Sequence, residues 1–218
     1  MKNEGVPMAV EGVPFLGVFA LASLGFAIGH IWLASALFGI LAVYVVFFFR
    51  NPERLPPIGL GLVASPADGK VIFIGTDEDK EFNCGKVTKI SIFMSLWDVH
   101  INRAPIDGTV KNMKYHRGRF MAAFEEGASE QNERNAALIE TAQGSKLVLV
   151  QVAGLVARRI VTYPSIGAFV LKGQRYGLIR FGSRCDLYLP LSSRVLTKVG
   201  DKVLGGETVL AELTEEKK

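Results

Sequence analysis

Three stretches of this chain carry side chains that could act together on a bond. In Arg180-Phe181-Gly182-Ser183-Arg184, a serine follows a glycine between two short apolar runs. A serine hydroxyl becomes a nucleophile once a base takes its proton, and a strand-to-strand junction is a place where the preceding peptide can be strained. In Met94-Ser95-Leu96-Trp97-Asp98-Val99-His100, the imidazole follows an apolar run, in a turn with Trp97, where acid–base work is feasible. In Ser65-Pro66-Ala67-Asp68-Gly69 the aspartate opens an Asp-Gly turn, and by itself it reads as a turn residue. A lone serine or histidine is more often structural, so the three gain weight only together. His116 has Lys114 and Arg117 close by and reads as facing solvent or a phosphate rather than as a base.

Other chemistries find no residues. Phosphate-loop and dinucleotide glycine patterns are absent, as are zinc-ligand spacings, so no metal is expected. Ser183 lacks the Gly-x-Ser-x-Gly elbow of hydrolases, which argues against ordinary acyl transfer. Cys84 and Cys185 are the only cysteines and read as reduced, cytosolic and structural. The net charge of +4 comes without a dense Lys/Arg stripe interleaved with aromatics, so nucleic acid is not an expected partner.

The elements that must position these residues divide the 218-residue chain. After a tail at 1–11, residues 12–49 contain no Asp, Glu, Lys or Arg. About 38 residues of helix would span roughly 57 Å, against a hydrocarbon core of roughly 30 Å. That is too long for one straight span. With Gly29-His30 near the middle, the pattern predicts a membrane-inserted helical hairpin, 13–28 and 31–49. His30 reads as an interfacial turn residue. A secretory signal would be shorter and basic at its start. Both ends of a hairpin lie on one side, and the close cations Arg50 and Arg54 make that side cytoplasmic, with the chain at the cell membrane. A proline-rich linker, 50–63, cannot continue the helix.

From residue 64 to 218 the pattern changes to short β-branched runs bounded by turn signals. Strands are predicted at 70–74, 87–94, 109–115, 136–141, 146–152, 176–181, 185–189 and 208–212, with an irregular polar loop at 126–134. In 87–94, Ile90, Ile92 and Met94 share one face and Ser91 and Phe93 the other. The fold class is mainly β (α+β), with a catalytic body of sandwich or open-barrel type. The turns of 199–210 resemble those of a biotinyl/lipoyl barrel-sandwich, but no lysine stands at a hairpin tip to carry such a group.

The set Ser-Pro-Ala-Asp-Gly (65–69), Phe-Met-Ser-x-x-Asp-Val-His-x-Asn-Arg-Ala-Pro (93–105), Asn-Glu-Arg (132–134), Ala-Arg-Arg-Ile (157–160), Gly-x-Ile-Arg-Phe-Gly-Ser-Arg (177–184) and Asp-Leu-Tyr-Leu-Pro (186–190) closely resembles the short-form phosphatidylserine decarboxylases. The resemblance covers essentially all of 64–213 in the expected order. It implies that Ser183 Oγ attacks the Gly182 carbonyl, that an ester replaces the amide, and that β-elimination releases chain 1–182 from chain 183–218. Ser183 then becomes the cofactor, a covalent pyruvoyl group whose ketone condenses with the amine of phosphatidylserine and accepts the electron pair left by CO2. The product is phosphatidylethanolamine. The implied partners are phosphatidylserine in the bilayer and the chain's own second fragment.

Carried over by position, Ser183 is the pyruvoyl precursor, and Asp68 and His100 are the acid–base residues. Long-form members carry a second histidine three positions after the first, where this chain has Arg103. Two arrangements stay open: His100 serves both cleavage and decarboxylation, or Arg103 binds phosphate or carboxylate. The group that deprotonates Ser183 also stays open. The competing class is a membrane-anchored barrel-sandwich adaptor without catalysis, but such adaptors place a long heptad-rich hairpin between the sandwich halves, and none is seen here.

Overall fold

The structure is a computed structural model that describes residues 3–118, 121, 131–154, 159–180 and 183–214. The chain divides into two compact units, Met1–Glu53 and Arg54–Lys218.

The first unit is a helical hairpin, α1 (Val13–Ile28) and α2 (Trp32–Phe48). Pro14 stands in the first turn of α1, where a missing N–H costs nothing. The turn is made by Gly29 and His30, the latter at φ 60°. The helices are held by a reciprocal pair, Ser23 Oγ to the Ser35 carbonyl and Ser35 Oγ to the Ser23 carbonyl, both 2.9 Å. Phe38 packs against the rings of Phe19 and Phe26. Asn51 Nδ2 closes the base of the hairpin by donating to the Asn3 and Val6 carbonyls. Leu21, Ile28 and Leu33 lie on the outside, so the apolar surface of this unit points away from its own interior. Among the described residues, Val10–Ile28 is the one helix long and apolar enough to cross a membrane, and Trp32–Phe48 is a shorter apolar helix.

The second unit is built of strands: β1 (Leu62–Ala64), β2 (Gly69–Asp79), β3 (Gly85–Met94), β4 (Ile101–Arg103), β5 (Gly108–His116), β6 (Arg134–Glu140), β7 (Lys146–Ala153), β8 (Ile160–Thr162), β9 (Phe169–Val170), β10 (Arg175–Ile179), β11 (Ser183–Pro190), β12 (Arg194–Val195), β13 (Lys202–Val203) and β14 (Val209–Glu212). Eight of them form a curled sheet in the order β13-β2-β3-β11-β7-β6-β5-β9, and two three-stranded sheets, β1-β14-β12 and β4-β10-β8, complete the body. The mainly β fold is as the alternation of the sequence predicts.

Period-two alternation decides what each face of the large sheet buries. Ile90 and Ile92 of β3, Leu147 and Leu149 of β7, and Cys185, Leu187 and Leu189 of β11 enter the main core. Val148, Val150 and Val152 point the other way, into a smaller cluster under Phe82 and Cys84 of the β2–β3 hairpin. At one end of the core-facing rows the apolar pattern gives way to polar residues. Asn135, Gln151 and Cys185 are consecutive partners across β6, β7 and β11, and Ser183 is two residues further along. The short strands β4, β8, β9, β12 and β13 escape a sequence reading because two or three residues hold too little pattern. The polar loop expected at 126–134 lies outside the described residues up to 130, and Arg134 opens β6.

Candidate active site

Ser183 is the first residue of β11, paired with Met94 of β3 on one side and Ala153 of β7 on the other, and it is fully buried. Its hydroxyl donates to Met94 Sδ at 3.2 Å. A thioether is a weak acceptor, so this contact orients the hydroxyl without taking its proton. The same sulfur faces Asn102 Nδ2 at 3.6 Å. From there a buried polar chain runs inward: Gln151 Nε2 donates to Asn102 Oδ1 (2.8 Å), Thr162 Oγ1 to Gln151 Oε1 (3.0 Å), and Asn135 Nδ2 to Thr162 Oγ1 (2.8 Å). Each buried amide thereby finds partners, without which burial would cost about 1–3 kcal/mol per group. Gly177 of β10 makes room, since a Cβ there would lie 2.3 Å from the Val161 carbonyl oxygen and 2.9 Å from Gln151 Nε2.

His100 is buried immediately before β4, two residues from Asn102 and so on the same side of that extended segment. Its Nδ1 lies 3.0 Å from the Asp98 carbonyl oxygen. A carbonyl only accepts, so Nδ1 carries the proton and Nε2 is the basic nitrogen of the neutral ring. The turn ahead of it is braced by Asp98, whose Oδ2 accepts from Ser95 N (2.8 Å) and Ser95 Oγ (2.7 Å).

Asp68 ends the Ser-Pro-Ala-Asp turn. Gly69, at φ +150°, follows because a Cβ would fall 2.1 Å from the Phe93 carbonyl oxygen. One carboxylate oxygen accepts from Gly205 N and the other from Arg54 Nη2, both at 2.7 Å. Arg54 Nη1 reaches Glu207 Oε2 at 3.1 Å. Both carboxylate oxygens thus have a donor, one of them a guanidinium, and the group is fixed in place. Register puts the Asp-Gly turn and the serine at the same end of the sheet: Lys70 pairs with Phe93, and Phe93 with Arg184. The residues ahead of Lys70 and Arg184, and the one after Phe93, therefore lie at one end of three adjacent strands.

Arg103 is buried with its Nη1 on the Gly173 carbonyl (2.9 Å) and its backbone N–H on the Pro66 carbonyl (2.8 Å). It braces the turn that carries Asp68. His116 keeps 36% of its side chain exposed, and its Nε2 also meets Glu81 Oε2 at 2.7 Å, beside Arg134 Nε on Glu81 Oε1 at 2.8 Å, so the outward-facing ring has a carboxylate partner that the sequence reading did not include. Gly182 lies outside the described residues. Burial pushes the Cys185 thiol well up and holds Cys84 at about 11, so both stay protonated at neutral pH. Among the described residues no group of three His, Cys, Asp or Glu could hold a metal ion.

The profile of the phosphatidylserine decarboxylase family matches residues 41–211. This chain belongs to that family. Over 98% of its length it is 47% identical to the phosphatidylserine decarboxylase proenzyme of Geotalea daltonii, covering all of that protein. The proenzyme of Geobacter sp. (strain M21) is 49% identical over 96% of this chain and 98% of its own. That of Nitratidesulfovibrio vulgaris is 43% identical over 99% of both. Family membership makes the chain an enzyme, a decarboxylase, as its motifs imply.

The residues that sequence reasoning did not assign to the site are Met94, Asn102, Gln151, Arg54 and the pair Arg184–Asp186. Gln151 was detectable as a polar residue in phase with the buried side of an apolar run. Arg184 Nε and Nη2 bind Asp186 Oδ1 and Oδ2 at 2.6 and 3.0 Å on the face opposite Ser183. Arg54 was read only as a charge flanking the apolar segment, and its contact with Asp68 had no local signal.

Proposed function

We propose that this decarboxylase acts on phosphatidylserine, releasing CO2 and phosphatidylethanolamine, after cutting itself between Gly182 and Ser183. The reading rests on one observation above the others: Ser183 is the buried first residue of a central strand. In the cut, the Ser183 oxygen attacks the Gly182 carbonyl carbon and the peptide C–N bond breaks, leaving an ester and a free amine. Loss of the Ser183 α-proton then expels the Gly182 carboxylate and leaves dehydroalanine at position 183. Its enamine tautomerises, and water releases ammonia to give the pyruvoyl group. Asp68 and His100 are the acid–base residues, with His100 Nε2, whose ring the Asp98 carbonyl orients through Nδ1, as the base.

The surroundings fit such a group. Ser183 Oγ, the attacking atom, is held on Met94 Sδ, and the same sulfur faces the Asn102 amide, so the nucleophile lies in a buried pocket with a polar donor on a fixed strand. When formed, the pyruvoyl group supplies an electron sink for the bond to the departing carboxylate. The chain's own residues hold the pieces together. β11 has eight cross-strand partners on β3 and six on β7, and β13 and β14 pair with β2 and β1, so chain 183–218 stays locked to chain 1–182 as a heterodimer.

We place the protein at the cell membrane, with residues 12–49 inserted, a linker at 50–63 and the catalytic body of 64–218 on the cytoplasmic side. The exposed apolar surfaces of α1 and α2 support insertion, and Arg50 supports the side. Mass analysis of purified protein tests the enzyme reading: a C-terminal fragment starting at 183, lacking an α-amine and reducible by borohydride, is expected. Ser183→Ala should give one uncut, inactive chain, and a Ser183→Ala protein that still released CO2 would overturn the assignment.

A further inference from the structure

We propose that the turn of residues 95–98 is an interfacial anchor that seats Leu96 and Trp97 at the headgroup–acyl boundary of an anionic bilayer. The inference rests on the reading above of a membrane-lipid substrate. Most large apolar side chains near Ser183 are buried, but Trp97 is 68% exposed and Leu96 41%. They share a tip between Ser95 and Asp98, with no other apolar residue in the turn itself. Indole, with an apolar body and one N–H donor, favours the zone between water and hydrocarbon.

The tip is rigid. Both donors of Ser95 end on Asp98 Oδ2, and Asp98 N–H returns to the Ser95 carbonyl at 3.1 Å. A braced tip loses little conformational freedom when it docks. It is also tied to the chemistry on both sides. The residue before it, Met94, takes the Ser183 hydroxyl, and its last carbonyl, that of Asp98, orients His100. A lipid headgroup held at this depth would meet the reacting serine position without leaving its leaflet.

One exposed cation at the same end, Arg159, matches an anionic surface. Ile101 pairs with Leu178 and Ile179 with Ile160, so Arg180 and Arg159 extend β10 and β8 beside the segment that leads out of the turn. Arg180 N–H donates to the Arg159 carbonyl at 3.3 Å, which keeps the two arginines in adjacent rows. Basic residues near an anionic surface each contribute on the order of 1 kcal/mol of attraction.

The test uses the full chain with Ser183→Ala, so that it does not depend on self-cleavage, and Trp32→Phe, which leaves Trp97 as the sole tryptophan. In phosphatidylcholine–phosphatidylglycerol vesicles brominated at shallow acyl positions, Trp97 emission should be largely quenched and shielded from aqueous acrylamide. Emission open to acrylamide and indifferent to bromine overturns the proposal. So does blue-shifted emission indifferent to both quenchers, which would mean that protein, such as a second copy, covers the tip. A second arm uses Leu96→Ser with Trp97→Ser in the otherwise native chain. Its KM in surface mole fraction of phosphatidylserine should rise about tenfold, with kcat and the rate of self-cleavage nearly unchanged. An unchanged KM, or a loss of self-cleavage, counts against an anchor. Failure of the decarboxylase reading would leave the quenching result standing, so the two failures are distinguishable.

Discussion

Arg184 and Asp186 are two residues apart and meet on the outward face of β11, whereas Arg54 and Asp68 are fourteen apart and meet only when the linker lies against the turn that carries the aspartate. Both are short, nearly buried ion pairs. The first follows from strand geometry, because i and i+2 share a face as soon as β11 forms. The second needs the linker, the Asp-Gly turn and the β13–β14 connection in place together. The local pair can therefore stabilise the strand that begins at Ser183, while the remote pair ties the orientation of the Asp68 carboxylate to the linker residue Arg54.

Four substitutions would sharpen or break that contrast. Arg184→Met leaves Asp186, which has no exposed side-chain surface, without its cation. Stability measured by denaturant unfolding on a Ser183→Ala background should fall by about 3–5 kcal/mol, and a paired Arg184→Met, Asp186→Leu variant should recover much of it. Should the single variant be as stable as its parent, the local pair holds nothing.

Asp68→Asn comes next. An amide can satisfy Gly205 N–H or turn its oxygen to Arg54, but not both, and it cannot take up or release a proton as a carboxylate does. Self-cleavage followed by gel time course should slow about 100-fold, equivalent to about 2.7 kcal/mol of barrier. Normal processing would reduce Asp68 to a turn residue.

Arg54→Gln removes the same contact from the other side while leaving the carboxylate. Processing should slow about tenfold, about 1.4 kcal/mol, with partial rescue by Arg54→Lys, because an ammonium keeps the charge but not the fork. Equal rates for the glutamine and lysine variants would show that the charge does nothing. The smallest effect belongs to Glu207→Gln. Glu207 is the more exposed partner, at 31% of its side chain, so less than about 1 kcal/mol of stability and little change in rate are expected.

Much of the body was legible from pattern. Alternation in 87–94, 146–152 and 185–189 matches β3, β7 and β11 closely, because strands buried on one face must repeat every two residues. The Asp68-Gly69 turn was visible for the same local reason, with Gly69 at φ +150°. The helical hairpin was visible from the length of its uncharged run and the Gly29-His30 break. Short strands such as β4 and β9 were not, since their pairing is imposed by neighbours. Motif positions named Ser183, His100 and Asp68 but not what contacts them. Met94 reads as an ordinary core residue and Arg54 as a topological charge until strand order is known.

By itself, the sequence determined which segments alternate, which long stretch carries no charge, and which serine, imidazole and carboxylate the family motifs single out. The tertiary structure alone decided that β11 lies between β3 and β7, which places Ser183 on Met94 and links it through Asn102 to Gln151. It also decided that Arg54 reaches Asp68. The reason is physical: alternation is set by neighbours along the chain, but strand order and the closing of long loops are set by the burial of the whole core, and no local window contains that information.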